Sequence, residues 1–300
     1  MNASPIKLRP FTRDVIWGGT KLANRYHKAE ADTRLGESWE LSLHPGGLCT
    51  VEDESEPART LASVLGREDF PTLIKLIDAA RDLSIQVHPS KTEMWIVLDC
   101  EEGASLIYGL KEPYDRDRFT ASLADGSVES LLRRVPVHRG DVFFLPSGMV
   151  HAIGGGILVA EIQQSNDITY RVWDYGRLEN GRPRALHVEQ ALDTIRDFTD
   201  EEIEALRFST EPRSEGLLAA CPYFRTARMT VNGTRILDGA PYWQCLLAIE
   251  GSGSINGRPI APGDTYFLPA SAPAVLLESD AGLTLLHTCL PTDRGEEGEA

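Results

Sequence analysis

One segment occurs twice in this chain: Gly140 to Ile153 reads G-D-V-F-F-L-P-S-G-M-V-H-A-I, and Gly263 to Leu276 reads G-D-T-Y-F-L-P-A-S-A-P-A-V-L. Each copy has a glycine-aspartate turn, an aromatic-aliphatic strand and a proline that closes it. A turn-strand-turn unit that recurs at such a distance implies that one β architecture is built twice. The expectation is a mainly β fold of two similar antiparallel barrels, the first spanning residues 1-178 and the second 211-290. In this register His151 of the first copy falls on Ala274 of the second, and the preceding strand of the second copy, Tyr242 to Gly253, has no histidine. Only the first barrel is therefore equipped for chemistry.

That chemistry points to a metal. In Q-V-H-P-S-K-T-E-M-W, Gln86 to Trp95, Gln86 and His88 lie two residues apart, so a β-strand projects both from one face. The gap to Glu93 allows a turn that returns a carboxylate to that face, and His151 ends a second strand-turn element. Two imidazoles, a carboxylate and an amide oxygen make a mixed nitrogen and oxygen set that suits zinc, one ion per chain, with manganese, iron and cobalt as competitors. In the bland alternative, His88 and His151 are satisfied core histidines and Glu93 is a surface charge. That alternative leaves unexplained why the second copy lacks all of them. Glutamine is a weak neutral ligand, which leaves the metal Lewis-acidic and favours catalysis over a purely structural site.

At 300 residues and 42 % apolar content the chain can bury a large core. A net charge of -15 argues against sequence-independent attraction to nucleic acid or anionic membranes. The five cysteines are scattered and form no C-x-x-C pair, so a reducing cytoplasm is expected. Neither a signal peptide nor a membrane-length apolar run is evident. No macromolecular partner is required, and monomer and homodimer both stay open.

Between these landmarks, Leu61 to Arg67 reads as a short helix and Phe70 to Asp78 as an apolar strand. Residues 111-134 read as a helical insert with Leu123, Val128, Leu131 and Leu132 as its buried stripe. A helical connection is expected over 179-210, together with the insert forming a small appendage, and a disordered tail over 291-300.

W-G-G at Trp17, G-E-S-W-E at Gly36, S-I-Q-V-H-P at Ser84, K-T-E-M-W at Lys91, G-M-V-H-A-I at Gly148 and I-Q-Q-S-N-D-I-T-Y-R-V-W-D-Y-G-R at Ile162 occur in that order over nearly the whole chain. Together they resemble the type I phosphomannose isomerases in their short bacterial form. The resemblance implies two cupin (jelly-roll) barrels with a helical insert, one zinc ion, and interconversion of mannose 6-phosphate and fructose 6-phosphate. It implies Gln86, His88, Glu93 and His151 as the zinc ligands, the same four that the spacing selects. Arg171 takes the position of the family's catalytic arginine, and Asp167 that of its acidic neighbour. Lys91 matches an active-site lysine, Ser84 a serine near the phosphate, and Arg177 a position that is cationic in relatives. Similar short-form proteins insert a stretch after the V-H-P turn, whereas here Pro89 is followed after one residue by Lys91, so a reduced pocket wall is expected.

Aldose-ketose isomerisation needs ring opening, proton movement between C1 and C2 through a cis-enediol, and a stabilised oxyanion. Arg171 offers fixed positive charge, Asp167 a proton shuttle and Lys91 assistance in ring opening, while Ser84, Lys91 and Arg177 are candidate substrate contacts. A metal-retaining cupin that binds a sugar phosphate for sensing is the competing reading, and the short turn after Pro89 is its support. A cupin oxygenase fits less well, since histidine-rich iron coordination would be expected there. The remaining histidines His27, His44, His138, His187 and His287 read as structural or exposed, and Trp17, Trp39, Trp95 and Trp173 as barrel packing.

Overall fold

The structure, a computed structural model, describes residues 4–53, 58–209 and 215–291. The tail expected to be disordered lies outside the described residues beyond Pro291.

Three large sheets make two barrels. A seven-stranded sheet runs in the order Arg207–Ser209, Asp141–Leu145, Glu93–Cys100, Ile157–Gln164, Thr72–Ala79, Glu37–Leu41, Phe11–Arg13. A five-stranded sheet, Tyr170–Trp173, Ile85–Val87, His151–Ala152, Ser105–Leu110, Leu132–Pro136, faces it. The nine-stranded sheet holds the later strands, and among them Gln244–Gly251 pairs with Thr265–Leu268 on one side and with the long strand Val275–Cys289 on the other.

The seven-stranded sheet is buried on both faces. Trp95, Val97, Ile77 and Val159 point into the first barrel. Met94, Ile96, Ile74 and Ala160 point outward onto Trp243, Leu247 and Phe267 of the nine-stranded sheet. A strand covered on both sides needs a continuous apolar run rather than alternation, which accounts for T-L-I-K-L-I-D-A at Thr72–Ala79, buried at every position. Lys75 is the informative exception within it.

The repeated segment occupies equivalent places in both barrels. Gly140 and Gly263 have positive φ, 90° and 92°. Asp141 Oδ2 accepts the backbone N–H of His138 and Asp264 Oδ2 that of Ala261, so each pair builds the same turn before its strand.

Sheet membership departs from a simple division of the chain at 178 and 211. Ile6–Arg9 and Thr50–Val51 join the nine-stranded sheet, where Ile6–Arg9 covers the edge strand Thr265–Leu268. Arg207–Ser209, inside the expected helical connection, pairs with Asp141–Leu145 of the first barrel. In both cases a short strand satisfies a sheet edge that would otherwise lie unpaired.

The insert contains the helix Arg116–Asp125 and a 3-10 turn, Val128–Leu131, and Leu132 already begins a strand. Of the expected stripe, Val128 and Leu132 are buried and Leu123 and Leu131 half-buried, with Phe119 as a further anchor. Residues 178–206 contribute a hairpin, Leu178–Glu179 with Arg182–Pro183, and two helices, Val188–Thr194 and Asp200–Ala205. Asn180 and Gly181 at the hairpin tip both have left-handed φ, 52° and 77°, the turn chemistry of an Asn-Gly pair. Phe119, Val128, Ala191, Leu192 and Ile195 pack on Ile85, Val87, Ile107 and Val172. These helices therefore cover the outer face of the five-stranded sheet instead of forming an appendage.

Candidate metal centre

Two rows of paired residues face each other across the first barrel. On the five-stranded sheet Arg171, Gln86, His151 and Tyr108 are register partners across four adjacent strands. On the seven-stranded sheet Trp39, Lys75, Glu161, Trp95 and Phe143 form the corresponding row. Residues directly opposite on neighbouring strands share a face, so both rows present their polar members to the same interior. The Trp95 and His151 rings meet edge to face at 5.4 Å.

Gln86, His88, Glu93 and His151 come together where the sheets converge. His88 Nε2 lies 3.4 Å from Glu93 Oε1, and His151 Nε2 lies 3.8 Å from Glu93 Oε2. Ligand atoms of His88, Glu93 and His151 all fall within 4.8 Å of one another, the one such group among the described residues. The carbonyl of Ile168 accepts from His88 Nδ1–H and that of Met149 from His151 Nδ1–H, each at 2.8 Å. Both Nε2 lone pairs are thereby aimed at the centre, an outer-shell arrangement that fixes tautomer and ring orientation. Gln86 reaches within 3.5 Å of His151 Nε2 through its amide nitrogen, and a half-turn of that amide presents the oxygen.

The donor set fits a metal ion. His88 Nε2 and both Glu93 carboxylate oxygens are buried without a hydrogen bond, a costly state for polar atoms unless something else satisfies them. Lys91 offsets the charge of Glu93 through an ion pair. Burial pushes His88 well below its ordinary pKa and His151 down to about 4, so both imidazoles are neutral near pH 7, as ligands must be.

Beside this centre lies a cavity of about 410 Å³ lined by Ser84, Gln86, Lys91, Asp167 and Arg171. Arg171 is held by its Nε donating to Ser84 Oγ at 3.1 Å and its Nη1 to the Ala185 carbonyl at 2.8 Å. Burial acts against the Lys91 ammonium, but Glu93, Glu161 and Asp167 outweigh it and hold its pKa above the ordinary lysine value. The short turn after Pro89 is clamped: Ser147 Oγ donates to the His88 carbonyl and Asn166 Nδ2 to Ser90 Oγ.

Arg177, in contrast, is not among the cavity-lining residues. Sequence reasoning missed Arg13, Glu37, Lys75, Glu161 and Arg184, which do line it. Glu161 accepts Trp95 Nε1–H at 2.8 Å and lies 3.7 Å from Lys75. Burial and then the charge of Glu93 raise its carboxyl above the usual range. Lys75 and Glu161 stand as charges inside largely apolar strands, but only pairing across the sheet brings both to the cavity.

Residues 6–104 match the family model for the catalytic domain of type I phosphomannose isomerase. Over 96 % of this chain and all of the relative, the sequence is 33 % identical to the mannose-6-phosphate isomerase ManA of Bacillus subtilis. The chain belongs to the type I phosphomannose isomerase family. A mannose-6-phosphate isomerase of Streptococcus mutans is 31 % identical over 95 % of the chain and 99 % of the relative. The crystal structure of the mannose 6-phosphate isomerase from Bacillus subtilis superposes with a TM-score of 0.83 at 31 % identity, covering 95 % of this chain and 99 % of that one. A more distant structure with the same fold, 16 % identical with a TM-score of 0.72, is of a mannose 6-phosphate isomerase bound with zinc and yttrium. The family's fold, two cupin barrels of mainly β structure, is the one described above.

The second barrel of this family member keeps a trace of the site. Leu145 pairs with Glu93, and its counterpart Leu268 pairs with Gln244, so Gln244 occupies the place of Glu93. His287 likewise stands where Glu161 does, and its Nε2–H donates to Gln244 Oε1 at 2.8 Å. A satisfied neutral pair has replaced the ionisable one. Among the described residues no helix is long and apolar enough to cross a membrane.

Proposed function

We propose that this protein is a zinc-dependent aldose-ketose isomerase that interconverts mannose 6-phosphate and fructose 6-phosphate through a cis-enediol. The observation that carries the reading is the cluster of His88, Glu93 and His151 beside a cavity lined by Gln86, Arg171, Lys91, Asp167 and Glu161. Gln86, His88, Glu93 and His151 would hold the ion, which when bound supplies Lewis acidity toward substrate oxygens.

The other residues act directly on the sugar. Arg171, fixed by Ser84 and Ala185, sets a permanent positive charge where negative charge develops on the enediol oxygens. Losing one such preorganised donor typically costs about 100-fold or more in rate. Lys91 stays protonated beside Glu93 and serves as a donor to the ring oxygen, not as a base. Asp167 and Glu161 border the same space, and proton movement between C1 and C2 falls to this pair of carboxyls. The raised pKa of Glu161 equips it to hold a proton nearer neutrality.

The test is a coupled assay of fructose 6-phosphate formation from mannose 6-phosphate, with and without a chelator. Turnover that the chelator abolishes and zinc restores is expected. His88→Ala and His151→Ala should lose the metal, measured by elemental analysis, while the circular dichroism spectrum persists. Full metal retention in both variants refutes the ligand assignment. Metal-loaded protein without turnover that still binds mannose 6-phosphate would favour the sensing role.

A further inference from the structure

The acceptor that orients His88 sits on an exposed segment. His88 is buried, yet the carbonyl that takes its Nδ1–H belongs to Ile168, which is 49 % exposed. Segments of that kind open locally at little cost unless their backbone is bonded. Ile168 N–H donates to Asn166 Oδ1 at 2.9 Å. Asn166 Nδ2 in turn donates to Ser90 Oγ at 2.7 Å and to the Ser90 carbonyl at 3.2 Å. The circuit closes through Pro89, whose ring fixes its φ and whose carbonyl, like that of His88, accepts from Ser147 Oγ.

The backbone of Asn166 is tied to the strand that precedes it. Its N–H donates to the Gln164 carbonyl at 2.7 Å, and its carbonyl accepts from Gln163 Nε2 at 2.9 Å. Gln163 is fully buried and is the register partner of Glu93. Gln164 N–H donates to the Thr92 carbonyl at 2.9 Å. Every polar group of Asn166 is thereby engaged. A turn onto Ile168 needs only a side-chain oxygen, which aspartate or serine also supplies. Asn166 adds a donor that crosses to a residue 76 positions away in the chain. Ser90 is the residue between Pro89 and Lys91, so the bridge lands on the shortened turn itself.

We propose that Asn166 is the positioning residue for His88: by tying Ile168 to Ser90 it keeps the Ile168 carbonyl on His88 Nδ1–H and the Nε2 lone pair on the metal. This rests on the ligand assignment made above. Without the bridge the Ile168 carbonyl turns to water, and the ring is free to carry its proton on Nε2, the tautomer that cannot ligate through that atom.

Two measurements on the full-length protein test this. In metal-free protein carrying isotope-labelled histidine, heteronuclear NMR reads which ring nitrogen of His88 is protonated, with His88→Ala identifying its signals. Wild type should show Nδ1–H, and Asn166→Ala a mixture of both tautomers. Competition with a chelating dye should show cobalt(II) affinity lower by roughly 3- to 10-fold in Asn166→Ala, the value of about one neutral hydrogen bond instead of a lost ligand. Asn166→Ser, which restores the turn onto Ile168 but is too short to reach Ser90, should fall between. Ser90→Ala should weaken binding less in the Asn166→Ala background than in wild type, as for two partners in one bond. A His88 ring held as Nδ1–H in folded Asn166→Ala, as in wild type, overturns the proposal, and so does a lower thermal midpoint with cobalt affinity unchanged. Wild-type protein that binds no cobalt removes the ligand assignment, whereas the ring measurement still decides whether Asn166 positions His88.

Discussion

His287, which stands in the second barrel where Glu161 stands in the first, shows at single-residue scale what a buried histidine costs. Burial holds its pKa down to about 4 against an ordinary value of 6.5, and its bond to Gln244 uses the neutral ring. The unfolded chain therefore takes up a proton near pH 6.5 that the folded protein refuses until about pH 4. Stability is complete above pH 6.5 and is lost as pH falls toward 4, by about 2 kcal/mol between pH 7 and 5 from this group alone. Urea unfolding at both pH values should show a smaller acid loss in His287→Gln than in wild type. An equal loss in both would mean that His287 is not the titrating group. His88 and His151 are shifted in the same direction, so the variant should flatten the dependence without removing it. The convergence of Gln86, His88, Glu93 and His151 was legible in the sequence because Gln86 and His88 sit on a strand end and Glu93 and His151 sit at turns, where short spacing fixes direction. Lys75, Glu161 and Arg184 were not, because only pairing across the sheet or a distant carboxylate brings them to the cavity.

At the scale of elements, the Pro146–Gly148 turn joins the two halves of the site. Gly148 has φ 89°, its N–H donates to the His88 carbonyl at 2.9 Å, and its own carbonyl accepts from Arg196 N–H at 3.0 Å. A Cβ there would stand 2.4 Å from Arg196 Cδ. Gly148→Ala should therefore cost about 1–3 kcal/mol and displace the start of the His151 strand. Metal affinity should drop roughly 10- to 100-fold, as for loss of an outer-shell support. A competition titration with a chelating dye measures it, and unchanged affinity would show that the turn does not hold the ligand. The repeat made this turn and its strand legible, because glycine, aspartate and proline each impose a local backbone rule. The helices over Ile85–Val87 were legible as helices but not as its cover, since their apolar faces name no partner. The edge strand Arg207–Ser209, three residues long, carried too little pattern to separate it from a helical connection.

For the whole molecule, a buried ionic strap and the shared apolar layer join the barrels. Glu40, fully buried beside a bulge between Trp39 and Leu41, accepts from Lys28 Nζ at 2.8 Å, Ser38 Oγ at 2.7 Å and Thr265 Oγ1 at 2.8 Å. Lys28 Nζ also donates to the Gly263 carbonyl at 2.6 Å. Glu40→Ala leaves two hydroxyls without their acceptor and the buried ammonium without its counter-charge, and should cost about 3–5 kcal/mol, read as a lower thermal midpoint. Glu40→Gln, which keeps an acceptor, should cost less. A Glu40→Ala protein as stable as wild type would mean that water or local rearrangement replaces the carboxylate.

The partner of Ile6–Arg9 is Thr265–Leu268, made roughly 250 residues later. At 5–20 residues per second a ribosome takes roughly 10 to 50 seconds to bridge that interval. Throughout it Leu8, buried in the finished protein, can pair with Val51 on one side but lacks its strand partner on the other. One edge of Ile6–Arg9 therefore closes only after residue 268 has been made, and a chain stalled before residue 265 presents that edge unpaired to whatever chaperone or protease meets it.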